Sequence, residues 1–466
     1  MKIRFGTSGW RGVIAREFTW ERVDRVVDGI ALFLQRRDRG SVVVGGDCRF
    51  LSPELAESAA RRMSSYGFRA VLSSCPCPTP VLSHVCRKEN YGGIINFTAS
   101  HNPPVYNGIK FSPWHCGPAD GGMTSEIEEI ILKGQLPEKG EGAVERRDFR
   151  PAYMQDVYRY LDTDVFRESD LKLVYDAFSG TGAGILDRIL VDLGASVRTV
   201  NGERDPLFAG RQHPEPGEEG TRDLAEEVLT SGADLGVATD GDADRFGIVD
   251  EKGSFVSPHD FLPLLLQYLI ERKGAEGRAV RSVTTGSLLD RVARANGLET
   301  LVTPVGFKYL GAEMIKGGVL LAGEESGGLS ITDHVPEKDG ILACLMAAEM
   351  VCAGGRGLAE QLEELWDRYG RVHVSRRDVR LTPELSRYLK SEFFDSEPSE
   401  IAGMKISGID RTDGIKMILE GGGWILLRLS GTEPLARVYA QSDTREGIDH
   451  LLGGVVQSLR EVDGSA

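Results

Sequence analysis

Short apolar runs alternate along this chain with longer amphipathic stretches, and the alternation repeats three times. In the first unit "SVVVGGD" (41–47) predicts a strand. Ser52 is then placed to cap a helix with Pro53 in its first turn, and Gly67 stops it. "RAVLS" (69–73), a helix after "PTP" (78–80) and the strand opening "GGIINFTASHNP" (92–103) complete the unit. The second runs from "LKLVYDAFSGTG" (171–182) through "ILDRILVDLG", "SVRTV" and "TRDLAEEVLTSG" to "DLGVATDGDADR" (234–245). The third runs from "RAVRSVTTGS" (278–287) through "LLDRVARANG", "ETLVTP" and "FKYLGAEMIKGG" to "VLLAGEESGG" (319–328). "LDR" at 186–188 stands as far before Gly194 as "LDR" at 289–291 stands before Gly297. Matching element order and matching helices predict three related α/β units.

Each unit ends on an apolar strand that empties into a polar loop. Ligands of open α/β sheets collect at the carboxyl ends of strands, so three such loops are expected to line one cleft. Residues 371–466 break the pattern: "RVHVSRRDVRL", "GWILLRLSGTEPLARVYA" and a closing helix read as α+β. The expected domains are 1–150, 151–253, 254–370 and 371–466. Their boundaries fall at "LPEKGEGAVERRD" (136–148), near 253, and at "DRYGRV" (367–372).

Composition narrows the class. A chain of 466 residues exceeds one hydrophobic core, and 41% apolar with 27% charged residues is an ordinary globular balance. The formal charge of −15 argues against a general nucleic-acid binder but leaves room for a local basic cleft that takes a small phosphorylated substrate. Seven cysteines, an odd number, do not form a disulfide framework. "SCPCPTP" lacks zinc-ligand spacing despite His84 and Cys86 nearby. Reduced thiols, no signal-like apolar core in "MKIRFGTSGWRG" and no run of membrane-spanning length lead us to expect a cytoplasmic protein with no membrane partner.

The loops carry the chemistry. In "TDGDADR" Asp240, Asp242 and Asp244 alternate, and in an extended segment they would face one way. Three packed carboxylates need a cation, and hard oxygen ligands suit Mg²⁺ or Ca²⁺. An EF-hand is the competing reading, but no flanking helix precedes the loop. In "RLSGTEPLAR" (428–437) Ser430, Gly431 and Thr432 offer hydroxyls and backbone N–H groups between Arg428 and Arg437, a composition suited to phosphate. Glu324 and Ser326 of "GEESGG" suit sugar hydroxyls. Gly306 and Lys308 of "TPVGFKY" and His334 and Lys338 of "HVPEKDG" could meet a phosphate or sugar oxygen.

Ser100 next to His101 invites a serine-hydrolase reading. Adjacent residues at a strand end are expected to point apart, and no G-x-S-x-G elbow surrounds the serine. Near a metal and a phosphate clamp, Ser100 is better suited to carry a phosphoryl group. Lys110, beyond the turn at Asn107 and Gly108, would then act as acid or base if burial lowered its pKa.

Taken in order, "TSGWRG" (7–12), "TASHNP", "DGDADR", "GEESGG" and "RLSGTEP" resemble the motifs of the α-D-phosphohexomutase family over nearly the whole chain. The resemblance implies three similar α/β domains with mixed sheets plus a smaller α+β C-terminal domain around a central cleft. It implies phosphoserine at Ser100 and Mg²⁺ on Asp240, Asp242, Asp244 and the Ser100 phosphate. It further implies Arg11, Lys110 and Arg245 at the catalytic phosphate, with His101 shaping the loop or touching phosphate. Glu324 and Ser326 would grip the sugar, and Arg428, Ser430, Gly431, Thr432 and Arg437 the distal phosphate. The implied intermediate and activator is glucose 1,6-bisphosphate, the partner a phosphosugar, the assembly a monomer or homodimer. Many members specific for both mannose and glucose phosphates carry His where this chain has Gly328, and "DHVPEKDG" looks like the glucose-type branch. Interconversion of glucose 1-phosphate and glucose 6-phosphate is therefore expected, with mannose or glucosamine phosphate as the alternative. "GGDCR" (45–49) replaces a common "GRDTR", at positions not expected to carry chemistry. A silent sugar-phosphate binder would be expected to lose Ser100, Lys110 or an aspartate, and a metal-dependent phosphatase would use the same aspartates.

Overall fold

The computed structural model describes residues 3–6, 9–430 and 434–463. Its first sheet takes six strands: β1 (Trp10–Val13), β2 (Ser41–Gly46), β3 (Arg69–Ser73), β4 (Gly93–Phe97), β5 (Tyr106–Pro113) and β6 (Ala143–Arg147), in the order β1-β5-β4-β2-β3-β6. The second contains β7 (Lys172–Asp176), β8 (Ser196–Val200), β9 (Leu235–Thr239) and β10 (Phe246–Val249), ordered β10-β9-β7-β8. The third contains β11 (Arg278–Ser282), β12 (Thr300–Thr303), β13 (Val319–Glu324) and β14 (Gly328–Ile331), ordered β12-β11-β13-β14.

These orders are one motif written three times. In every unit the first strand pairs in parallel with the second and third, and the fourth closes antiparallel on the third. The first unit adds β1 and β6 at its two edges, and β1 sets Arg11 opposite Gly108 of β5. Strands such as β4, β9 and β13 are buried along their whole length, as mixed sheets covered by helices require.

The last unit is different. β15 (His373–Arg380), β16 (Glu400–Ile401), β17 (Met404–Asp410), β18 (Ile415–Leu419), β19 (Trp424–Leu429) and β20 (Leu435–Ser442) form an antiparallel sheet ordered β15-β20-β19-β18-β17-β16. The amphipathic helix Arg445–Val462 covers one face.

One apolar cluster runs from Val43 in the first unit to Val372, so the three α/β units share a core. The helix Gly340–Gly354 belongs to it, buried from Gly340 to Val351 and apolar around its circumference except for Glu349, the signature of an interior helix. A Cβ on Gly340 would lie 2.2 Å from the carbonyl oxygen of Arg245, so only glycine lets this helix start against the 240–245 loop. No single helix among the described residues is long and apolar enough to cross a membrane.

One local expectation fails. Ser52 begins the helix Ser52–Ser64 rather than capping it, and Leu51 takes the cap position with φ of +67°. The Ser52 hydroxyl instead donates to Asp47 Oδ1 (2.9 Å) and accepts from Asn107 Nδ2 (3.0 Å). The hydroxyl that would have accepted from the helix N–H groups is thus committed to a buried carboxylate and an amide, and a hydrogen bond to a carboxylate is stronger than a neutral cap.

Candidate active site

Ser100 sits just past β4, buried and with φ of +49°. That left-handed turn is costly for a residue with a side chain and persists only where the surroundings enforce it. Arg49 enforces it. Its guanidinium is fully buried and donates to four carbonyls of the loop backbone: Ser100 O (2.5 Å), Asn102 O (2.6 Å), Pro103 O (2.9 Å) and Tyr106 O (3.0 Å). Asp47 balances the charge, with Oδ2 at 3.2 Å from Arg49 Nε, and also accepts from Thr98 Oγ1 at 2.6 Å.

The turn changes the relation expected between Ser100 and His101. They do not point apart: Ser100 Oγ and His101 Nδ1 lie 3.3 Å from each other. The hydroxyl is nevertheless committed elsewhere, donating to Asp240 Oδ2 at 2.5 Å. Burial and the nearby cations Arg245, Arg11 and Lys338 hold His101 well below the usual histidine range, so it is neutral. No carboxylate hydrogen-bonds its ring among the described residues, so the orienting member of a hydrolase triad is missing.

The three aspartates converge by a route other than the one the spacing suggests. The segment after β9 is a tight loop, not an extended strand, with Ala243 at φ of +54°. Asp244 N and Arg245 N donate back to Asp240 Oδ1 at 3.0 and 3.1 Å. One carboxylate oxygen from each of Asp240, Asp242 and Asp244 lies within 4.8 Å of the others, and all three residues are buried. Thr79 braces the loop from the first unit: its N–H donates to Asp242 O (3.0 Å) and its hydroxyl to Asp242 Oδ2.

The electrostatics of this cluster suit a bound cation. Burial, then the neighbouring Asp242 and Asp244, push Asp240 well above the carboxylate range. Oδ1 of Asp242 and Oδ1 of Asp244 are buried with no hydrogen-bond partner among the described residues. Three carboxylates and a hydroxyl, all oxygen donors with orphaned lone pairs, fit Mg²⁺.

Two lysines meet at Asp244. Lys110 Nζ is 2.8 Å and Lys338 Nζ 2.7 Å from its Oδ2, and Lys110 also reaches Glu337 Oε2 at 3.3 Å. Burial works against the charge on Lys110, but Asp244, Glu337 and Asp242 outweigh it and raise its pKa above the ordinary lysine value. Burial alone therefore does not lower the Lys110 pKa in this arrangement, because the surrounding carboxylates hold the ammonium. Burial opposes ionisation of Asp244 too, and Lys110, Lys338 and Arg245 overcome it, keeping that carboxylate well below its usual range.

Arg11 and Arg245 complete a cationic rim. Arg11 donates to Asn102 Oδ1, and burial lowers its pKa to about 10 against the pull of Asp242. Arg245 pairs with Glu215, and that carboxylate together with Asp244 raises its pKa despite burial.

At the end of β13, Glu324 is buried and accepts from Gly306 N at 2.7 Å. Burial and the adjoining Glu325 push its pKa up to about 7, with Lys338 and Gly306 N pulling the other way. Ser326, two residues on, is half-buried in the turn before β14. In the last unit Arg428 and Arg437 stand directly opposite on β19 and β20. Like charges in that position repel unless an anion lies between them. Arg428 also pairs with Asp413 (3.1 Å), which accepts from Val305 N (3.1 Å) and so joins this strand to the Gly306 turn. Ser430 closes the β19–β20 connection through its N–H to Leu435 O (2.9 Å), while Gly431 and Thr432 lie outside the described residues.

Lys308 Nζ lies 5.0 Å over the ring of its neighbour Tyr309. One expected site residue, His334, stands apart from the cluster. His334 is buried against Asp339 (Nε2 to Oδ2, 2.8 Å) and the edge of Tyr160, and lines a different cavity. Conversely, Arg49, Thr79 and Glu337 belong to the site's support and were not anticipated. A charged pair flanking Cys48 directly after a buried strand was the available signal for Asp47 and Arg49.

Three repeated α/β units and a fourth domain, converging a buried serine, an aspartate triad and a rim of cations, define a phosphoryl-transfer enzyme of the mutase class. Sequence profiles described as phosphoglucomutase/phosphomannomutase alpha/beta/alpha domains I, II and III match residues 2–138, 151–253 and 257–369, and that of the C-terminal domain matches 388–457. The chain belongs to the phosphoglucomutase/phosphomannomutase family, the α-D-phosphohexomutases. It is 31% identical to a phosphoglucomutase/phosphomannomutase of Thermococcus kodakarensis, over 98% of both chains. It is 32% identical to a phosphoglucosamine mutase of Carboxydothermus hydrogenoformans, over 98% of this chain and 99% of that one. A crystal structure of a Thermus thermophilus chain assigned as a phosphomannomutase superposes with a TM-score of 0.86 at 36% identity, covering 99% of both chains.

Proposed function

We propose that this phosphohexomutase interconverts the 1- and 6-phosphates of glucosamine or mannose by way of a phosphoserine at Ser100 and a hexose 1,6-bisphosphate. The observation that carries the mechanism is the 2.5 Å contact between Ser100 Oγ and Asp240 of the buried triad. It sets a nucleophilic oxygen where transferring phosphoryl oxygens would meet a divalent cation. When bound to Asp240, Asp242, Asp244 and the phosphate, Mg²⁺ supplies charge neutralisation to the transferring group.

The chain's own residues do the rest. Arg49 fixes the Ser100 loop in its left-handed turn, so the oxygen does not reorganise during transfer. Lys110, Arg11 and Arg245 place positive charge around the phosphoryl oxygens. Glu324 and Ser326 accept and donate hydrogen bonds to sugar hydroxyls, with Lys338 and the Gly306 turn beside them. Arg428, Ser430, Gly431, Thr432 and Arg437 take the phosphate that is not reacting. A clamp of this kind serves either end of the sugar, which is what a bisphosphate that turns around in the cleft requires.

The glucose preference expected from Gly328 and "DHVPEKDG" gives way to the alternative, because relatives matched over nearly their whole length are named for glucosamine or mannose phosphates, and the one named for glucose is named for mannose as well. The four domains are read as 1–150, 151–253, 254–370 and 371–466. A coupled assay over glucosamine, mannose and glucose 1-phosphates tests the sugar: glucose 1-phosphate turned over fastest would reverse the order. Intact-mass measurement after treatment with a hexose 1,6-bisphosphate tests the mechanism, since a phosphoryl group adds about 80 Da. No added mass on Ser100 would sink the phosphoenzyme.

A further inference from the structure

A second cavity of about 700 Å³ lies away from the aspartate triad. It is walled by the end of the helix Thr79–Lys88, residues 156–160, the end of the helix Pro258–Lys273 and the loop 332–335. Of the site residues expected from the sequence, His334 lines it.

Its charge is unevenly satisfied. Of the four permanent cations in its wall, Lys88 pairs with Asp156 (2.7 Å) and Lys273 with the buried Glu349 (2.7 Å). Arg87 and Arg159 form no ion pair among the described residues. Both guanidiniums instead donate to main-chain carbonyls: Arg87 to Asp333 O (3.2 Å) and His334 O, and Arg159 to Asp333 O (3.1 Å). The Tyr160 hydroxyl donates to the same Asp333 oxygen at 3.0 Å. Three donors converge on an acceptor with two lone pairs, so the guanidiniums have hydrogen-bonding capacity to spare. Nδ1 of His334, a residue 4% exposed, is buried without a partner among the described residues. Leu269, Leu320 and Ile331 give the wall an apolar stretch, beside Thr332 and the acidic Asp156 and Asp333.

An acceptor-rich anion with an apolar body matches this wall. We propose that the cavity is a second, regulatory site for a small organic phosphate, and that filling it slows turnover. Arg87 and Arg159 recognise phosphate oxygens through paired N–H donors, and the volume suits a ligand larger than the phosphate group alone. The consequence for turnover follows from the loop the two arginines now hold. Residues 332–339 carry Glu337 and Lys338 to Lys110 and Asp244, and Asp339 accepts from His334 and caps the buried helix at Leu342 N (2.9 Å). A phosphate that draws Arg87 and Arg159 off the Asp333 and His334 carbonyls releases the start of that loop and loosens the ion pairs at its end.

Calorimetric titration with phenyl phosphate tests the site without relying on mutase activity. Wild-type protein is expected to bind at this cavity as well as at the Arg428 and Arg437 clamp, the Arg428→Ala variant is expected to keep one equivalent, and that equivalent is expected to weaken about tenfold or more when Arg159→Ala is added. Arg159 is exposed, so the variant is expected to fold, and Lys88→Ala, with a smaller loss, is the second check. Binding abolished by Arg428→Ala but kept by Arg159→Ala would place the ligand in the phosphate clamp and overturn the proposal, as would no binding at all. In the mutase assay, phenyl phosphate is expected to lower kcat at saturating sugar phosphate in wild type and not in Arg159→Ala. Purely competitive inhibition, unchanged by Arg159→Ala, would overturn the regulatory role.

Discussion

The stem of Lys338 fills the space that a side chain at Gly328 would need: a Cβ there would lie 2.3 Å from Lys338 Cδ and 2.7 Å from its Cγ. The same lysine ends 2.7 Å from Asp244. Position 328 and the metal loop are thereby linked through one side chain. Gly328→His is expected to push Lys338 off Asp244 and lower kcat about tenfold or more, with a raised Mg²⁺ requirement. Steady-state kinetics against Mg²⁺ concentration measure this, and Lys338→Met should reproduce it.

Arg49 holds the Ser100 loop and balances Asp47 in a fully buried pair. Arg49→Met leaves that carboxylate uncompensated and is expected to cost about 3–5 kcal/mol of stability. Urea denaturation reads the loss. The double variant Asp47→Asn, Arg49→Met should regain part of the stability while kcat stays low, because the Ser100 turn remains unsupported.

Glu324 gives a pH signature with a definite sign. Its folded-state pKa of about 7 lies above the ordinary 4.5, so the folded form holds the proton more tightly than the unfolded chain. Its contribution is present in full below pH 4.5 and is lost as pH rises to 7. Across that window wild type should lose about 3 kcal/mol relative to Glu324→Gln. Unfolding free energies of the two proteins at pH 5 and pH 8 decide it.

The facing pair Arg428 and Arg437 predicts a response to phosphate that does not need the metal. Inorganic phosphate is expected to raise the melting temperature of wild type, and Arg437→Ala should remove most of that shift while raising KM more than it lowers kcat. An undiminished shift in the variant would remove both arginines from the clamp.

Chelation should act on the triad. With Mg²⁺ absent, the burial and mutual repulsion that push up Asp240 are uncompensated, so added Mg²⁺ should raise the melting temperature. Asp242→Asn, which removes one of the three charges, should blunt the effect and cut the rate.

The repeat was legible in the sequence because buried parallel strands write themselves as short apolar runs: β2 was bounded nearly to the residue, and β7 and β11 open the stretches 171–182 and 278–287. The aspartate cluster was legible in composition but not in geometry. Nothing in "TDGDADR" announces that Ala243 turns the chain left-handed, and the alternation that seemed to align the three carboxylates plays no part. Arg49 and Thr79 escaped notice because their partners are main-chain carbonyls and a residue 163 positions away. The direction His334 faces was equally hidden, since it is set by Asp339 and Tyr160 rather than by the motif that contains it.

Ser100 follows β4, the triad follows β9, and Glu324 ends β13: the third strand of each unit. The same strand order thus delivers three differently equipped loops from three equivalent places. Because the three units share one interior, a shift of any one unit's third strand changes the spacing of its loop against the other two.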